Sequence, residues 1–329
     1  MKTVSEGRGE LFSNPDPDVA REHFRKKNRS LTDKVMTVKD AAAKFIHDGD
    51  YIAIGGFGGV RIPTAVLHEI LRQKRKNLGL FGHCSTHDFE VLAAGEVLDR
   101  VDISYVIGLE ARGVSANARR FMESGKVKIT EWTNATLAWR IKAAALGIPF
   151  MIGRQSLGAD SLQWSASKVI ECPYTGKKFA TCPALYPDVS VIHVHEADRF
   201  GNAHFKGVTV IDEDLARASK HVVITCERLV DTEVFRNDPH LAMIPYFCVD
   251  AVCEVPFGSY PGNMPFEYFS DEAHLKEWLT VEKDEAKFRE FLERNIYSCR
   301  DHNDYIERNG GLPKMQELRR KEFLLEVEE

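Results

Sequence analysis

The sequence predicts an α/β protein: an open, largely parallel sheet flanked by helices, with a small β-hairpin excursion and C-terminal helices. Three observations carry this expectation. Strand-like and helix-like stretches alternate from Thr37 to Gly147, a rhythm that argues for a parallel sheet covered on both faces. In "KVIECPYTGKKFATCPAL" the rhythm breaks into two short strands around a Thr-Gly turn. From Pro265 onward the chain turns helical and polar.

The elements follow in order. Residues 1–33 read as an N-terminal extension: "SNPDPD" offers turn residues, and "VAREHFRKKNRSL" is a short basic helical stretch, expected to form a solvated or partner-docked arm. Thr37 can cap a helix over "VKDAAAKFIHD", which Gly49 ends, and "YIAIGGF" reads as a buried strand. Pro63 opens "PTAVLHEILRQ", where Val66, Leu67, Ile70 and Leu71 share one face. "NLGLFG", "VDISYVIGL" and "KVKITEW" are strand-like. "HDFEVLAAGE", "SANARRFMESG" and "NATLAWRIKAAALG" are helical, the last with Asn134 near its cap and Gly147 at its end. After the hairpin, "VSVIHVHEA" and "HVVITCERLV" are strands rich in β-branched residues, joined by the helix "IDEDLARAS", and "FCVDAVCEVP" adds another strand. Leu275, Trp278, Leu279, Phe288, Phe291 and Leu292 recur at mostly helical spacing, which predicts C-terminal helices packed on the sheet's edge. The expected organisation is therefore an extension at 1–33, one α/β domain at 34–264, and a helical segment at 265–329 packed on that domain.

Composition narrows the function. At 329 residues, 43% hydrophobic and 28% charged, the chain has the balance of a soluble globular protein. A net charge of -5 with scattered Lys and Arg gives no basic face for nucleic acid. No run of about 18 apolar residues occurs and the first thirty residues are charged, so a cytoplasmic protein without membrane contact is expected. Seven cysteines, an odd number, fit reduced thiols better than a disulfide framework.

The glycine-rich stretch "DGDYIAIGGFGGVRIPTA" is the most informative. Gly55, Gly56, Gly58 and Gly59 do not give the dinucleotide spacing, no Gly-Lys-Ser/Thr follows, and the second strand runs into His83 and Cys84 rather than an acidic residue. A nucleotide is therefore the wrong ligand, and a tight strand-to-helix turn is the simplest reading.

Asp48-Gly49, then Ile52, Ala53, Ile54, Gly55, Gly56 and Phe57, then Pro63 resemble the signature of family I coenzyme A transferases. The common form has a glycine two residues before the proline, where this chain has Arg61. Glutaconate-type α subunits are similar in carrying arginine there. The resemblance extends through "VMTVKDAAAKFIHDGD", "EILRQ", "ARRFMESGK", "AAALGIPF", "YPDVSVIHVHEAD" and "EVPFGSYPG", about residues 35–265 and parts of the C-terminal helices. It implies the fold shared by these transferases and certain sugar-phosphate isomerases. It also implies CoA transfer through a glutamate, which lies on the β subunit or β half and becomes a glutamyl-CoA thioester. In this chain "SEGRG" and "ERNGG" are the only Glu-Gly turns of that kind, in the extension and the helical tail. The chain then resembles an α subunit, inert alone, that meets a β subunit in an α2β2 or larger assembly. Acyl-CoA and a carboxylate would be the substrates, with no permanently bound cofactor.

Within that resemblance the site candidates divide by task. Backbone N–H groups at Gly55, Gly56 and Phe57 suit an oxyanion hole, with a purely structural turn as the alternative. Arg61 and Arg112 are candidates for a second carboxylate on the acyl group, and a structural salt bridge is the alternative for Arg112. Glu110, Ala111 and Arg112 stand where the glutaconate enzyme has small polar residues, which puts glutaconate itself in doubt. His83, Cys84 and Ser85, with His87, form the densest reactive cluster. Their spacing tempts a metal reading, but partner ligands are lacking, and a site loop lined with donors is expected, with no metal. Cys172 and Cys182 flank the hairpin and are too few for a zinc knuckle, while His193 and His195 share one strand face. Asn134 stands near where a related ring-opening hydrolase carries an acidic base. An amide cannot take that role, although a helix N-cap accounts for it equally. Acyl-CoA hydrolysis, ring opening or decarboxylation on the same scaffold is the alternative function. A ligand-sensing regulator lacks room for a helix-turn-helix, and a non-catalytic partner is the remaining reading.

Overall fold

The apolar run Tyr51–Ile54 lies at the centre of the molecule, buried on both faces, as a strand inside a parallel sheet must be. The computed structural model describes residues 2–106 and 112–324. Its strands are β1 (Thr3–Glu6), β2 (Tyr51–Ile54), β3 (Leu78–Gly82), β4 (Leu98–Ile103), β5 (Lys128–Glu131), β6 (Phe150–Gly153), β7 (Lys168–Glu171), β8 (Lys178–Pro183), β9 (Val189–Ala197), β10 (Ala203–His204), β11 (His221–Leu229) and β12 (Ala251–Glu254). The main sheet has the order β12-β11-β9-β2-β3-β4-β5, every neighbour parallel, with β10 added antiparallel to β9. The chain builds outward from β2 to β5, then returns to build outward from β9 to β12. The strand order therefore reverses between β2 and β9, and the crevice beyond their carboxyl ends is where open α/β sheets bind ligands.

Side chains alternate across the sheet with the strand period of two. Ile52 and Ile54 join one core with Val66, Ile70, Leu80, Phe89 and Val101. Tyr51 and Ala53 join the other with Phe81, Leu137, Ile141, Ile192 and Val194. The second core contains a fully buried Asp102, which accepts from Tyr51 Oη at 2.6 Å, Trp132 Nε1 at 2.5 Å and Arg140 Nη1 at 2.6 Å. Arg140 Nε donates to Pro183 O, which ties this face to the smaller sheet.

Helix starts match their chemistry: Thr37 accepts from Asp40 N–H at the head of Val38–Phe45, and Ser115 accepts from Ala118 N–H before Ala116–Glu123. Two details differ from expectation. The first of these helices ends at Phe45, so Gly49 serves the following turn, at φ +86°, and not the helix end. The cap of helix Asn134–Leu146 is Thr133, in a capping box with Thr136, so Asn134 is the first helical residue.

The hairpin is β7 and β8, and it belongs to an antiparallel sheet of order β1-β7-β8-β6. The N-terminal segment is accordingly built into the structure and is not a solvated arm. Thr3 pairs with Ile170, Gly7 and Gly9 N–H donate to Ser167 O and Ser165 O, and a Cβ on Gly7 would stand 2.0 Å from Ser165 O. Helix Pro17–Lys26 is fastened at its end by Lys27, whose Nζ, nearly buried, meets Asp250 at 2.8 Å.

The C-terminal helices Glu272–Val281 and Glu285–Leu292 place Trp278, Phe288, Phe291 and Leu292 in the first core, and Glu293–Tyr297 packs against helix Thr64–Arg72. They extend the helical layer and do not cap the sheet's edge, because their apolar faces meet those of helices already lying on the sheet. Among the described residues, no disulfide links the cysteines, and no helix is long and apolar enough to cross a membrane.

Burial holds several imidazoles neutral. Desolvation lowers His83, His195 and His302 to about 4 and His274 to about 3. Each binds its proton less readily folded than unfolded, so the stability these groups supply is complete above about pH 6.5 and falls as the pH drops toward 4. The unfolding free energy, measured by denaturant titration, is expected to decline between pH 6.5 and 4.5, and replacing His302 with Gln should flatten that slope.

Candidate active site at the carboxyl ends of the central strands

Four consecutive strands of the main sheet deliver the candidate residues to one end. Gly55–Pro63 follows β2, His83–Thr86 follows β3, Ser104 follows β4 and Trp132–Asn134 follows β5. Gly56, Gly58 and Gly59 have φ of +85°, +59° and +96°, a region that residues with a Cβ enter at a cost. Space gives a second reason at Gly56, where a Cβ would stand 2.3 Å from Val60 O. The glycines are thus required by the turn's own path.

The N–H groups of that turn point inward. Gly55 N–H donates to Val191 O, Gly56 N–H to Asp212 Oδ1 at 2.8 Å, Phe57 N–H to Val60 O and Gly58 N–H to Cys84 O. The expected oxyanion hole at Gly55, Gly56 and Phe57 is therefore not open in this structure, since each donor already has an acceptor.

Asp212 is the centre of this arrangement. It lies at the start of helix Asp212–Ala218 and accepts from Arg61 Nη1 at 3.0 Å and Nη2 at 2.7 Å, as well as from Gly56. Arg61 also donates to Val208 O at 2.7 Å and stacks on Phe205, with its guanidinium fully buried. Arg61 is hence not open to a substrate carboxylate, which corrects the expectation for it. Its φ of +58° explains why a glycine suits this position in the common signature. Here the ion pair offsets a backbone strain of about 1 kcal/mol.

His83 is 5% exposed and sits between two phenyl rings, stacked on Phe81 with centroids 5.7 Å apart and tilted toward Phe57 at 5.6 Å. Its Nε2 meets Asn134 O at 3.2 Å, and since a carbonyl only accepts, Nε2 carries the proton. With burial lowering it to about 4, the ring is neutral at pH 7. Asn134 Oδ1 accepts from Ser104 Oγ at 2.6 Å, which joins the ends of β3, β4 and β5. Cys84 is half-buried with φ +49°, and its Sγ lies 3.5 Å from where a Cβ on Gly58 would be. Ser85 is buried and hydrogen-bonds Asp88. His87 turns away from His83: its Nδ1 meets Glu90 at 3.1 Å and its ring meets Trp278 edge-on. Among the described residues no group of three or more His, Cys, Asp or Glu is placed to hold a metal.

Arg112 reaches back over the turn, its Nη1 3.7 Å from the Cβ position of Gly59, and pairs with Glu272. Glu110 and Ala111 lie outside the described residues. His193 and His195 are both buried and internally bonded. His193 bridges Thr225 and Glu227, while His195 contacts Pro265 O and Lys206 N. Sequence reasoning passed over Asp212, Glu227 and Asn263. Glu227 accepts from Tyr268 Oη and Phe257 N–H, and Asn263 exchanges backbone bonds with Gly59 and Arg61. The segment "VPFGSYPGN" is thereby zipped to the glycine turn. Its proline and glycines were a signal of a shaped loop, but nothing local pointed to its partner.

An open parallel sheet with its polar turns gathered at the switch-point end defines a ligand-handling α/β fold, and its likeness to solved structures is specific. Glutaconate CoA-transferase from Acidaminococcus fermentans superposes with a TM-score of 0.83 at 30% identity, covering 87% of this chain and 95% of that one. The decarboxylase AibA/AibB superposes at 0.72 and 29% identity, covering 80% and 98%. In sequence, the corresponding chain of the A. fermentans enzyme is 32% identical over 84% of this chain and 92% of its own length. The corresponding chain of 3-oxoadipate CoA-transferase from Pseudomonas knackmussii is 31% identical over 83% and 96%. Residues 35–255 match the family model for coenzyme A transferase. The chain belongs to the coenzyme A transferase family, as a member of the α-subunit type.

Removing Asp212 should expose how much the turn depends on it. Asp212→Ala leaves the buried guanidinium without a counter-charge and the Gly56 N–H without an acceptor, and unfolding should lose about 3–5 kcal/mol, the range for a broken buried pair. Arg61→Gly in the same chain should recover part of that loss, because it removes the stranded charge and the positive-φ strain together. Chemical denaturation of the single and double variants measures both.

Proposed function

We propose that this chain is the α subunit of a heteromeric CoA-transferase that moves CoA between a dicarboxylyl-CoA and a carboxylic acid, through a glutamyl-CoA thioester on a partner β subunit. The carrying observation is the likeness, over more than four-fifths of the chain, to chains of two transferases whose names specify dicarboxylic acids.

The state of the carboxylates at the site supports an off-chain nucleophile. Asp212 is buried and bonded through both oxygens, as is Glu227, while Asp88 is buried against Ser85 and Thr86 N–H. None of these three is presented for attack on a thioester, and the half-exposed Glu272 is engaged by Arg112. In the proposed reaction the partner's glutamate attacks the acyl-CoA carbonyl, and the thiolate of CoA leaves as a mixed anhydride forms. That thiolate then attacks the glutamyl carbonyl, releasing the first carboxylate, and the second carboxylate reverses the sequence. The neutral His83 and the Phe57 ring would shield this exchange from water, and Arg112 would hold the distal carboxylate. A histidine held near 4 is a weak base at neutral pH, which favours transfer over water activation by this chain.

Decarboxylation is the second reading, favoured by the likeness to AibA/AibB. Intact mass spectrometry of the chain co-expressed with the product of its neighbouring reading frame, incubated with glutaconyl-CoA and acetate, separates the two, because the conjugated thioester can take up the electron pair that loss of carbon dioxide leaves. A CoA adduct on the partner, none on this chain, and acetyl-CoA in solution are expected. Free CoA or carbon dioxide without an adduct would remove the transferase reading.

A further inference from the structure

Arg112 already holds a carboxylate. Its Nε donates to Glu272 Oε2 at 2.8 Å and its Nη2 to Oε1 at 2.6 Å, the two-pronged geometry that a ligand carboxylate would adopt. Two features set this pair apart from the sealed Arg61–Asp212 pair. Its acid is on the outside: the Glu272 side chain is 50% exposed and that of Arg112 is 20% exposed. Glu272 is held by Arg112 and by Ser270 Oγ, and its solvent-facing side leaves a path by which a second carboxylate can reach the guanidinium and compete for it. Glu272 is also the first residue of helix Glu272–Val281, where an acid remains favoured by the helix dipole once it has left the arginine.

The ground behind the pair is prepared for an acceptor. Thr86, His87, Arg112, Gly113, Leu275 and Leu279 line a cleft of about 10 Å³, room for about one water. Thr86 is 2% exposed and its hydroxyl has no hydrogen-bond partner. That hydroxyl and Arg112 Nη1 both lie 3.7 Å from the Cβ position of Gly59. A buried hydroxyl without a partner is unfavourable, and Glu272, bonded through Nε and Nη2, does not reach it; a ligand carboxylate on Arg112 turned toward Nη1 would. Glu90 also borders the cleft, but its carboxylate is turned to His87.

We propose that Glu272 is a resident stand-in for substrate: it occupies on Arg112 the seat of the distal carboxylate of a dicarboxylyl-CoA, and the ligand displaces it. This rests on the dicarboxylyl-CoA reading above. It makes Glu272 a specificity-determining residue, since an acyl group without a distal carboxylate cannot take its place.

The test compares glutaryl-CoA with butyryl-CoA on the complex of this chain and its partner, by calorimetric binding and by turnover. Glu272→Ala and Glu272→Gln each free the seat and should tighten glutaryl-CoA at least fivefold, with a much smaller change for butyryl-CoA. Glu272→Asp, too short to reach Arg112 in the same geometry, should fall between. Arg112→Met should weaken glutaryl-CoA at least tenfold and erase the preference. If the Glu272 variants leave the glutaryl-to-butyryl affinity ratio unchanged, or weaken both ligands equally, Glu272 is a structural partner only and the proposal falls. Failure of the transferase reading looks different, because a wild-type complex could bind glutaryl-CoA with these preferences and form no CoA adduct.

Discussion

One ion pair, sealed from solvent where the strand order reverses, fixes the end of the molecule on which its chemistry depends. Asp212 grips both the Gly56 N–H and the Arg61 guanidinium, so the turn after β2 is bound to the segment after β9 across the switch point. Desolvating two charges is expensive, and their attraction offsets that cost only when further bonds satisfy the remaining donors. Val208 O and His193 O take further bonds from Arg61 Nη2 and Nη1 and the face of Phe205 covers the guanidinium, while its Nε has no hydrogen-bond partner. With the turn held from within, Phe57 is kept against His83, His83 against Asn134, and Asn134 against Ser104, a chain of contacts across four strand ends.

This arrangement divides the arginines by task. Arg61 belongs to the scaffold, and it holds a positive φ that a glycine would adopt at less cost. Arg112, on a loop end, is paired with a half-exposed acid, and is the arginine proposed to exchange its partner. The two were indistinguishable as cations in a sequence. Burial separates them: a fully enclosed charge is committed to its partner, whereas one at the rim can trade one carboxylate for another.

Much of the fold was legible. Uninterrupted apolar runs, caps such as Thr37 and the left-handed Gly147 announced the parallel strands and their helices, because these signals are local. Long-range pairing was not. Nothing in "TVSE" says that it adds a strand to the hairpin, and the polar surface of the N-terminal helix hides Lys27, whose ion pair with Asp250 is set by tertiary structure. At the site, the glycine turn and the loop after β3 were found by residue type. The direction of the turn's N–H groups was not, since their acceptors include Val191 O, Cys84 O and, for Gly56, Asp212, 156 positions further along the chain. Resemblance supplied the family, and the structure supplied the reason its glycines are needed.

The claim that the turn is a rigid support, with amides committed inward, is tested most directly by residue-resolved hydrogen exchange at Gly56, Phe57 and Gly58 in the assembled complex, with and without bound CoA. Slow exchange at all three in both states is the predicted result. Rapid exchange in the free complex that becomes slow only with CoA would mean that these amides wait for a ligand, and would contradict the account.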